Sequence, residues 1–227
     1  MDKRSVLIVG AGAGLSASLA RLFAKNGMSV ALAARDAAKL TALAAETGAT
    51  AHACDASKAD DVAHLFAQLD APPDVVVFNA SARARGPVAD LDPNDVERAI
   101  AISAFAGFLV GQAATRAMLP RGSGTIIFTG ASASVKGYPE SSSFAMGKFA
   151  LRGLAQSMAR ELAPKGIHIA HVIIDGGIRS ATRLDPSNAP DSLLDPDAIA
   201  EAYLQLVNQH RSAWTWEIEL RPWVERF

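Results

Sequence analysis

The stretch Ser5-Val6-Leu7-Ile8-Val9-Gly10-Ala11-Gly12-Ala13-Gly14-Leu15 carries the reading of the fold. Ser5 to Val9 is a short run of consecutive apolar residues with no polar alternation, the pattern of a parallel strand buried on both faces. Three glycines break it. Leu15, Leu19, Leu22 and Phe23 then recur at the spacing of an amphipathic helix, which Asn26-Gly27 ends. A second strand from Ser29 to Ala33 completes a βαβ unit over residues 5–33.

The same alternation runs outward along the chain. Helices are predicted over Ala37–Ala45 and Asp60–Leu69, with a strand at Thr50–Ala53 between them and Pro72-Pro73 as a stop. Val75–Phe78 reads as a fully buried strand, residues 93–119 as a helix stopped by Pro120, and Thr125–Phe128 as the next strand. A long helix at Phe144–Ala163 precedes Pro164 and Gly166, followed by a strand at Ile167–Ile174, a helix at Asp197–Gln209 and an alternating last strand at Trp214–Leu220. Seven strands interleaved with helices predict an α/β, doubly wound, Rossmann-like fold: a seven-stranded parallel sheet with helices on both faces. Neither an internal repeat nor a linker divides the chain, so one dinucleotide-binding domain is expected over residues 1–227. Ser180 to Pro196, rich in Asp, Pro and Ser, has no periodicity and is expected to be a mobile substrate loop.

Composition removes several classes of function. The 227 residues carry 22 Lys+Arg against 23 Asp+Glu, a net charge of −1, so there is no basic footprint for nucleic acid. With 50% hydrophobic and 20% charged residues the chain is not disordered. Cys54 is the single cysteine, which excludes an intrachain disulfide and fits a reducing compartment. The apolar run Val6–Val9 is too short for a signal peptide. The uncharged stretches Ser5–Ala20 and Ile100–Thr115 fall short of the roughly 20 apolar residues that span a bilayer. A soluble cytoplasmic protein with no membrane partner is expected. His168 and His171 point to opposite faces of their strand, and His52 and Cys54 share a face without a further ligand, so no metal site is expected.

In a parallel sheet the ligand sits beyond the carboxyl ends of the strands, where the strand order reverses. Gly10 permits a tight turn there, while Gly12 and Gly14 let the backbone approach a pyrophosphate above the amide-rich start of the next helix. The common Gly-x-Gly-x-x-Gly spacing would place glycine at Leu15, so the expected phosphate loop is Gly10, Gly12, Gly14 and Leu15. The second strand ends in Ala33-Ala34-Arg35-Asp36. Arg35 suits the 2′-phosphate of NADP(H), and Asp36 is expected to cap the following helix.

With these residues in place, the chain resembles the short-chain dehydrogenase/reductase family along nearly its full length. The family's Gly-x-x-x-Gly-x-Gly loop is similar to Gly10, Gly14 and Ser16, with serine for the third glycine. Asp55 resembles the aspartate near the adenine, and Phe78-Asn79-Ala80-Ser81 the family's Asn-Asn-Ala-Gly, so Asn79 and Ala80 are implied at the cofactor. Lys148 to Ile167 resembles the long fifth helix and the turn after it. Asp175-Gly176 stands where Pro-Gly is usual, which places Gly176 at the cofactor too. The family's Tyr-x-x-x-Lys is here Phe144-Ala145-Met146-Gly147-Lys148: the lysine is present and the proton-transferring tyrosine is replaced. The family's serine position falls on Ala131, so Ser132 fills it only with a one-residue shift, and the family's asparagine aligns with Ser103. Tyr138, ten residues before Lys148, does not share its helix face.

The resemblance implies an NADP(H)-dependent oxidoreductase acting on a carbonyl, hydroxyl or activated double bond of a small molecule. Its proton would come from water, Ser132 or the substrate. The same replacements admit a second reading, a dinucleotide-binding sensor or assembly subunit without turnover. Phe144 is either a packing residue or one that faces substrate, and Ser132 either a working hydroxyl or a local backbone partner. The Ala-rich helices over Asp95–Met118 and Phe144–Ala163 match those that pair across subunits in the family, so a homodimer or homotetramer is expected.

Overall fold

The computed structural model describes residues 3–225. The strands β1 (Ser5–Val9), β2 (Ser29–Ala34), β3 (Thr50–Ala53), β4 (Val75–Phe78), β5 (Gly124–Thr129), β6 (Ile167–Ile174) and β7 (Glu217–Leu220) form one sheet in the order β3-β2-β1-β4-β5-β6-β7. Every pairing is parallel. The helices are α1 (Leu15–Lys25), α2 (Thr41–Thr47), α3 (Ala59–Ala67), α4 (Pro93–Ile100), α5 (Ala106–Met118), α6 (Ser142–Leu162) and α7 (Pro196–Val207).

Alternate residues of each central strand serve opposite helix layers, because successive side chains in a strand point to opposite faces. Val6 and Ile8 join Leu19, Phe23, Ile199 and Tyr203 from α1 and α7 in one core. Leu7 and Val9 join Leu65, Val110, Leu151 and Ala155 from α3, α5 and α6 in the other. This is the doubly wound arrangement that the apolar runs predict.

Four local departures from the sequence reading have physical causes. The first turn after β2 is a 3₁₀ segment, Ala37–Leu40, because the Asp36 carboxylate accepts from the Ala38 N–H at 3.2 Å and tightens the chain there. The helical stretch after residue 93 is interrupted by a π-turn at Ala101–Phe105. Pro93–Arg121 is nevertheless one helical run of 29 residues, long and apolar enough by length and composition to cross a membrane, a test that a core helix also passes. Val110, Ala114 and Met118 in this run are buried with Phe78 and Phe128 of the sheet.

The third departure is the segment after β6. Ile178 and Leu194 form a parallel bridge, and Asp185 accepts from the Leu193 N–H at 2.8 Å and pairs with Arg179 at 3.2 Å. Arg179 also pairs with Asp195, so one guanidinium gathers both ends of a segment that the sequence leaves without order. Fourth, the last strand begins only at Glu217. Trp214 is drawn out of the ladder to stack on His168, ring centroids 4.9 Å apart, and the Gln209 side chain holds Thr215.

The strand order reverses between β1 and β4. There Gly10 has φ +81°, and a Cβ on it would lie 2.4 Å from the Ala80 nitrogen. Gly27 has φ +78° with nothing within 4 Å of an added Cβ. Alanine at Gly27 therefore bears only the left-handed backbone cost, about 1–2 kcal/mol. Alanine at Gly10 adds a clash with backbone and should cost about 2–4 kcal/mol in all. Urea unfolding of both variants measures the difference; equal losses would refute the close approach at Ala80.

Candidate active site

Beyond the carboxyl ends of the strands lie two cavities that share Asn79 and Ser81. The first, about 480 Å³, is lined by Gly10, Gly12, Arg35, Lys39, Asp55 and Ala80 among others. The second, about 450 Å³, is lined by Leu15, Ser132, Phe144, Lys148, Gly176 and Arg83 among others. A Cβ on Gly12 or Gly14 would meet nothing within 4 Å, so open space lies in front of the loop. The N-terminus of α1 has no side-chain cap, which leaves its first N–H groups available to an anion. Ser16, which stands for the third glycine, turns its hydroxyl inward: it donates to the Gly10 carbonyl at 3.2 Å and accepts from Asn79 Nδ2 at 2.7 Å. The loop and the turn after β4 are thereby joined by side chain as well as by contact. These features fit a dinucleotide whose pyrophosphate rests on the loop.

In the first cavity Asp55 accepts from the Ser57 hydroxyl at 2.7 Å, and this bond above all holds its carboxyl below the usual carboxylate range. Arg35 is exposed at the cavity wall without a carboxylate partner among the described residues. Lys39 lines the same wall, 3.5 Å from Asp36. The sequence reading passes over Lys39; its signal is the one-turn spacing from Asp36, which returns a second cation to the end of β2.

Lys148 is 3% exposed and its Nζ donates to the Thr129 carbonyl at 2.6 Å. Burial, and then the charge of Arg83, pushes its pKa down to about 7. The turn after β5 that carries Ser132 is fixed from behind by a buried chain of polar groups. Arg152 of α6 grips Glu217 of β7 through two bonds of 2.6 and 2.8 Å. Glu217 faces His171 Nδ1 at 3.0 Å, and His171 Nε2 faces Ser134 Oγ at 3.4 Å. Burial pushes His171 down to about 4, so the ring is neutral near pH 7. A carboxylate can only accept, so Nδ1 carries the proton and Nε2 accepts from Ser134. Ser134 Oγ in turn accepts from the Ala131 N–H at 3.2 Å. The Ser132 hydroxyl has no hydrogen bond among the described residues and lines the second cavity.

Phe144 lies on that wall too, its ring 5.8 Å from Lys148 Nζ. The guanidinium of Arg83 sits over the other side of the site, 4.0 Å from the centroid of the same ring. Ser103 is fully buried and does not line either cavity. Its hydroxyl accepts from the Ala82 N–H at 3.0 Å and donates to the Ala82 carbonyl at 3.1 Å. These two bonds hold the backbone of Ala82, and Gly147 lets α6 approach the Ser103 Cβ closely. Tyr138 lines an adjoining opening with Ser132 and Phe144, a proximity that helix spacing alone could not reveal. The sequence reading also missed Arg83, Arg85 and Arg183, which line the second cavity. The signal for Arg83 and Arg85 is the period-two Ala82-Arg83-Ala84-Arg85 directly after Asn79-Ala80-Ser81; Arg183 has none.

The short chain dehydrogenase family model matches residues 4–189. A cyclic-di-GMP-binding biofilm dispersal mediator protein of Escherichia coli is 32% identical over 190 residues, covering 82% of this chain and 77% of its own. A solved short-chain dehydrogenase from Rhodopseudomonas palustris is 37% identical with a TM-score of 0.86, covering 98% of this chain and 100% of its own. A metagenomic short-chain oxidoreductase solved in complex with NADP is 27% identical with a TM-score of 0.83, covering 96% and 97%. The chain belongs to the short-chain dehydrogenase family. That family consists of oxidoreductases that use nicotinamide cofactors and act on small molecules.

The buried lysine has a consequence for stability. Between pH 7 and the usual lysine value of 10.5 the unfolded chain holds a proton that folded Lys148 has released. Its burial therefore costs most at and below pH 7, and the cost fades as pH rises. In cofactor-free protein, the stability of Lys148→Met relative to the parent should fall by up to about 1.4 kcal/mol per pH unit across this window. Denaturant unfolding from pH 6 to 10 checks it; parallel pH profiles would refute the depressed value.

Proposed function

We propose that the chain is an NADP(H)-dependent oxidoreductase acting on a carbonyl, a hydroxyl or an activated double bond of a small molecule, through an atypical active site. The observation that carries this reading is Lys148, a buried ammonium group on the wall of the second cavity at the end of β5. Few reasons other than a bound ligand justify such a group, since an ion held out of water costs several kcal/mol. The cofactor, when bound, supplies the hydride. Gly10, Gly12, Gly14 and Leu15 carry its pyrophosphate, and Asp55, Asn79, Ala80 and Gly176 line its course. Lys148 holds the ribose at the nicotinamide end. The Ser132 hydroxyl faces the substrate oxygen, and water or Ser132 delivers the proton that the missing phenol would give. Loss of a positioned general acid costs about 10²–10⁴-fold, which leaves room for turnover of undemanding substrates.

We further infer one domain over residues 1–227, with 180–196 as the substrate loop. A cytoplasmic setting is supported by the lone, buried Cys54. Phe105, Phe108, Met146 and Phe149 are exposed on the helical layer of α5 and α6, which supports a homodimer or homotetramer.

The choice of NADP(H) rests on Arg35, seconded by Lys39. A charge-assisted contact to the 2′-phosphate is worth about 1.5–3 kcal/mol. Arg35→Ala should therefore weaken NADPH binding about 10- to 100-fold and leave NADH nearly untouched. Titrations at one salt concentration measure it, and equal losses for both cofactors would remove the assignment.

Phe144 in place of tyrosine favours a second reading, a nucleotide-binding regulator without turnover; the E. coli relative is named for binding rather than catalysis. Phe144→Tyr separates the two. With a hydroxyl added near Lys148, reduction of at least one generic carbonyl substrate should rise by about 10²–10⁴-fold. Flat activity in parent and variant, with tight NADPH binding in both, would favour the regulator.

A further inference from the structure

Arg83, Arg85 and Arg183 converge on the second cavity from two separate stretches of chain, the segment after β4 and the loop after β6. None of the three makes an ion pair or a side-chain hydrogen bond among the described residues. Glu140 lines the adjoining opening with Arg83 and Arg85 but lies beyond ion-pairing distance. Arg179, four residues before Arg183, is by contrast paired with Asp185 and Asp195. Like charges brought together without a counterion repel, and partial burial, then Arg85 and Arg183, hold the Arg83 guanidinium below the ordinary arginine range.

The position of Arg83 is built rather than incidental. Ser103 clasps the backbone of Ala82 with one donated and one accepted bond. Ser143 does the same to Ala84, accepting from its N–H at 2.9 Å and donating to its carbonyl at 2.8 Å. Both serines are fully buried, so the residues on either side of Arg83 are fixed to α6 and to the π-turn. Phe144 supplies the flat surface on which the guanidinium rests. The stacked guanidinium keeps its N–H edges free for an acceptor.

We propose that Arg83, Arg85 and Arg183 are an oxyanion-binding site for the substrate, so that the chain acts on small carbonyl compounds, or their alcohols, that carry a carboxylate or phosphate. This rests on the oxidoreductase reading above for its chemistry, and on the arginines alone for its binding. The cations for the cofactor's 2′-phosphate, Arg35 and Lys39, lie in the other cavity. The two groups of cations thus have separate duties.

The test uses the full chain with NADPH and matched substrate pairs: a keto acid against its methyl ester, and a phosphate-bearing carbonyl compound against its dephosphorylated form. The parent should favour the anionic member by about tenfold or more in kcat/KM, and the larger of the two preferences identifies carboxylate or phosphate as the natural group. Arg83→Gln and Arg183→Gln should each collapse that preference while NADPH affinity, read by titration, is retained. Calorimetry of the NADP⁺-loaded protein with malonate and with inorganic phosphate gives a second readout: salt-sensitive binding in the parent, lost in the Arg83→Gln/Arg183→Gln double variant. Equal turnover of acid and ester, loss of NADPH affinity in the arginine variants, or no malonate or phosphate binding would each overturn the proposal. Anion binding that the double variant abolishes, with no turnover of any carbonyl, would keep the site and sink the oxidoreductase reading. Turnover of neutral carbonyls alone would do the reverse.

Discussion

The contact between Gly10 and the backbone of Ala80 governs the rest of the site. β1 and β4 are neighbours in the sheet, and the chain departs from their ends in opposite directions. The crevice between those departures is where a parallel sheet can take a ligand. Its floor has to be thin. An added Cβ at Gly10 would stand 2.4 Å from the Ala80 nitrogen, so the two turns approach to backbone contact. Ser16 and Asn79 then lock the turns together by side chain, and both cavities open on this seam. A bulkier seam would separate the loop that holds a pyrophosphate from the segment that carries Asn79, Ser81 and Arg83.

The wall of the second cavity is a set of linked contacts rather than isolated ones. Phe144 gives the cavity an aromatic face, and Arg83 occupies that face. Serine at 103 turns away from the cavity and holds Ala82, one residue from Arg83. Ser143 holds Ala84 on the other side. Phe144 and Ser103 thus both bear on one guanidinium. An unpaired arginine on a surface strand would sample many rotamers. Here backbone clasps and ring stacking reduce that freedom before any ligand arrives, which lowers the entropic cost of binding.

How much of this could be read from residues alone depends on whether the signal was local. β1 and β4 are legible to the residue because buried parallel strands are unbroken apolar runs between turn residues. Asp36 as a cap was legible for the same reason: its partner, Ala38, is two residues away. The π-turn at Ala101–Phe105 was not: its Ser103 packs against Gly147 of another helix, a contact far off in sequence. Nor was the order in residues 180–196, which depends on Arg179 reaching carboxylates 6 and 16 residues later. The glycine loop, Arg35 and Lys148 could be named from motif and position. The arginine site could not, since Arg83 and Arg183 are a hundred residues apart in sequence and meet only through the fold.

Electrostatics makes the second cavity costly to stability. It holds a lysine whose pKa is lowered first by burial and then by the charge of Arg83. Behind it a histidine is kept neutral against Glu217 so that Ser134 and the Ala131 backbone can be fixed. Within one shell, then, positive charge accumulates on the open side while the carboxylates are committed elsewhere: Glu217 to Arg152 and Asp175 to Lys136. A bound anion would relieve this imbalance at once, through the repulsion between arginines and through the desolvated ammonium beside them. Folding alone gives no reason to assemble cations in this way, whereas a ligand that brings negative charge to the cavity does.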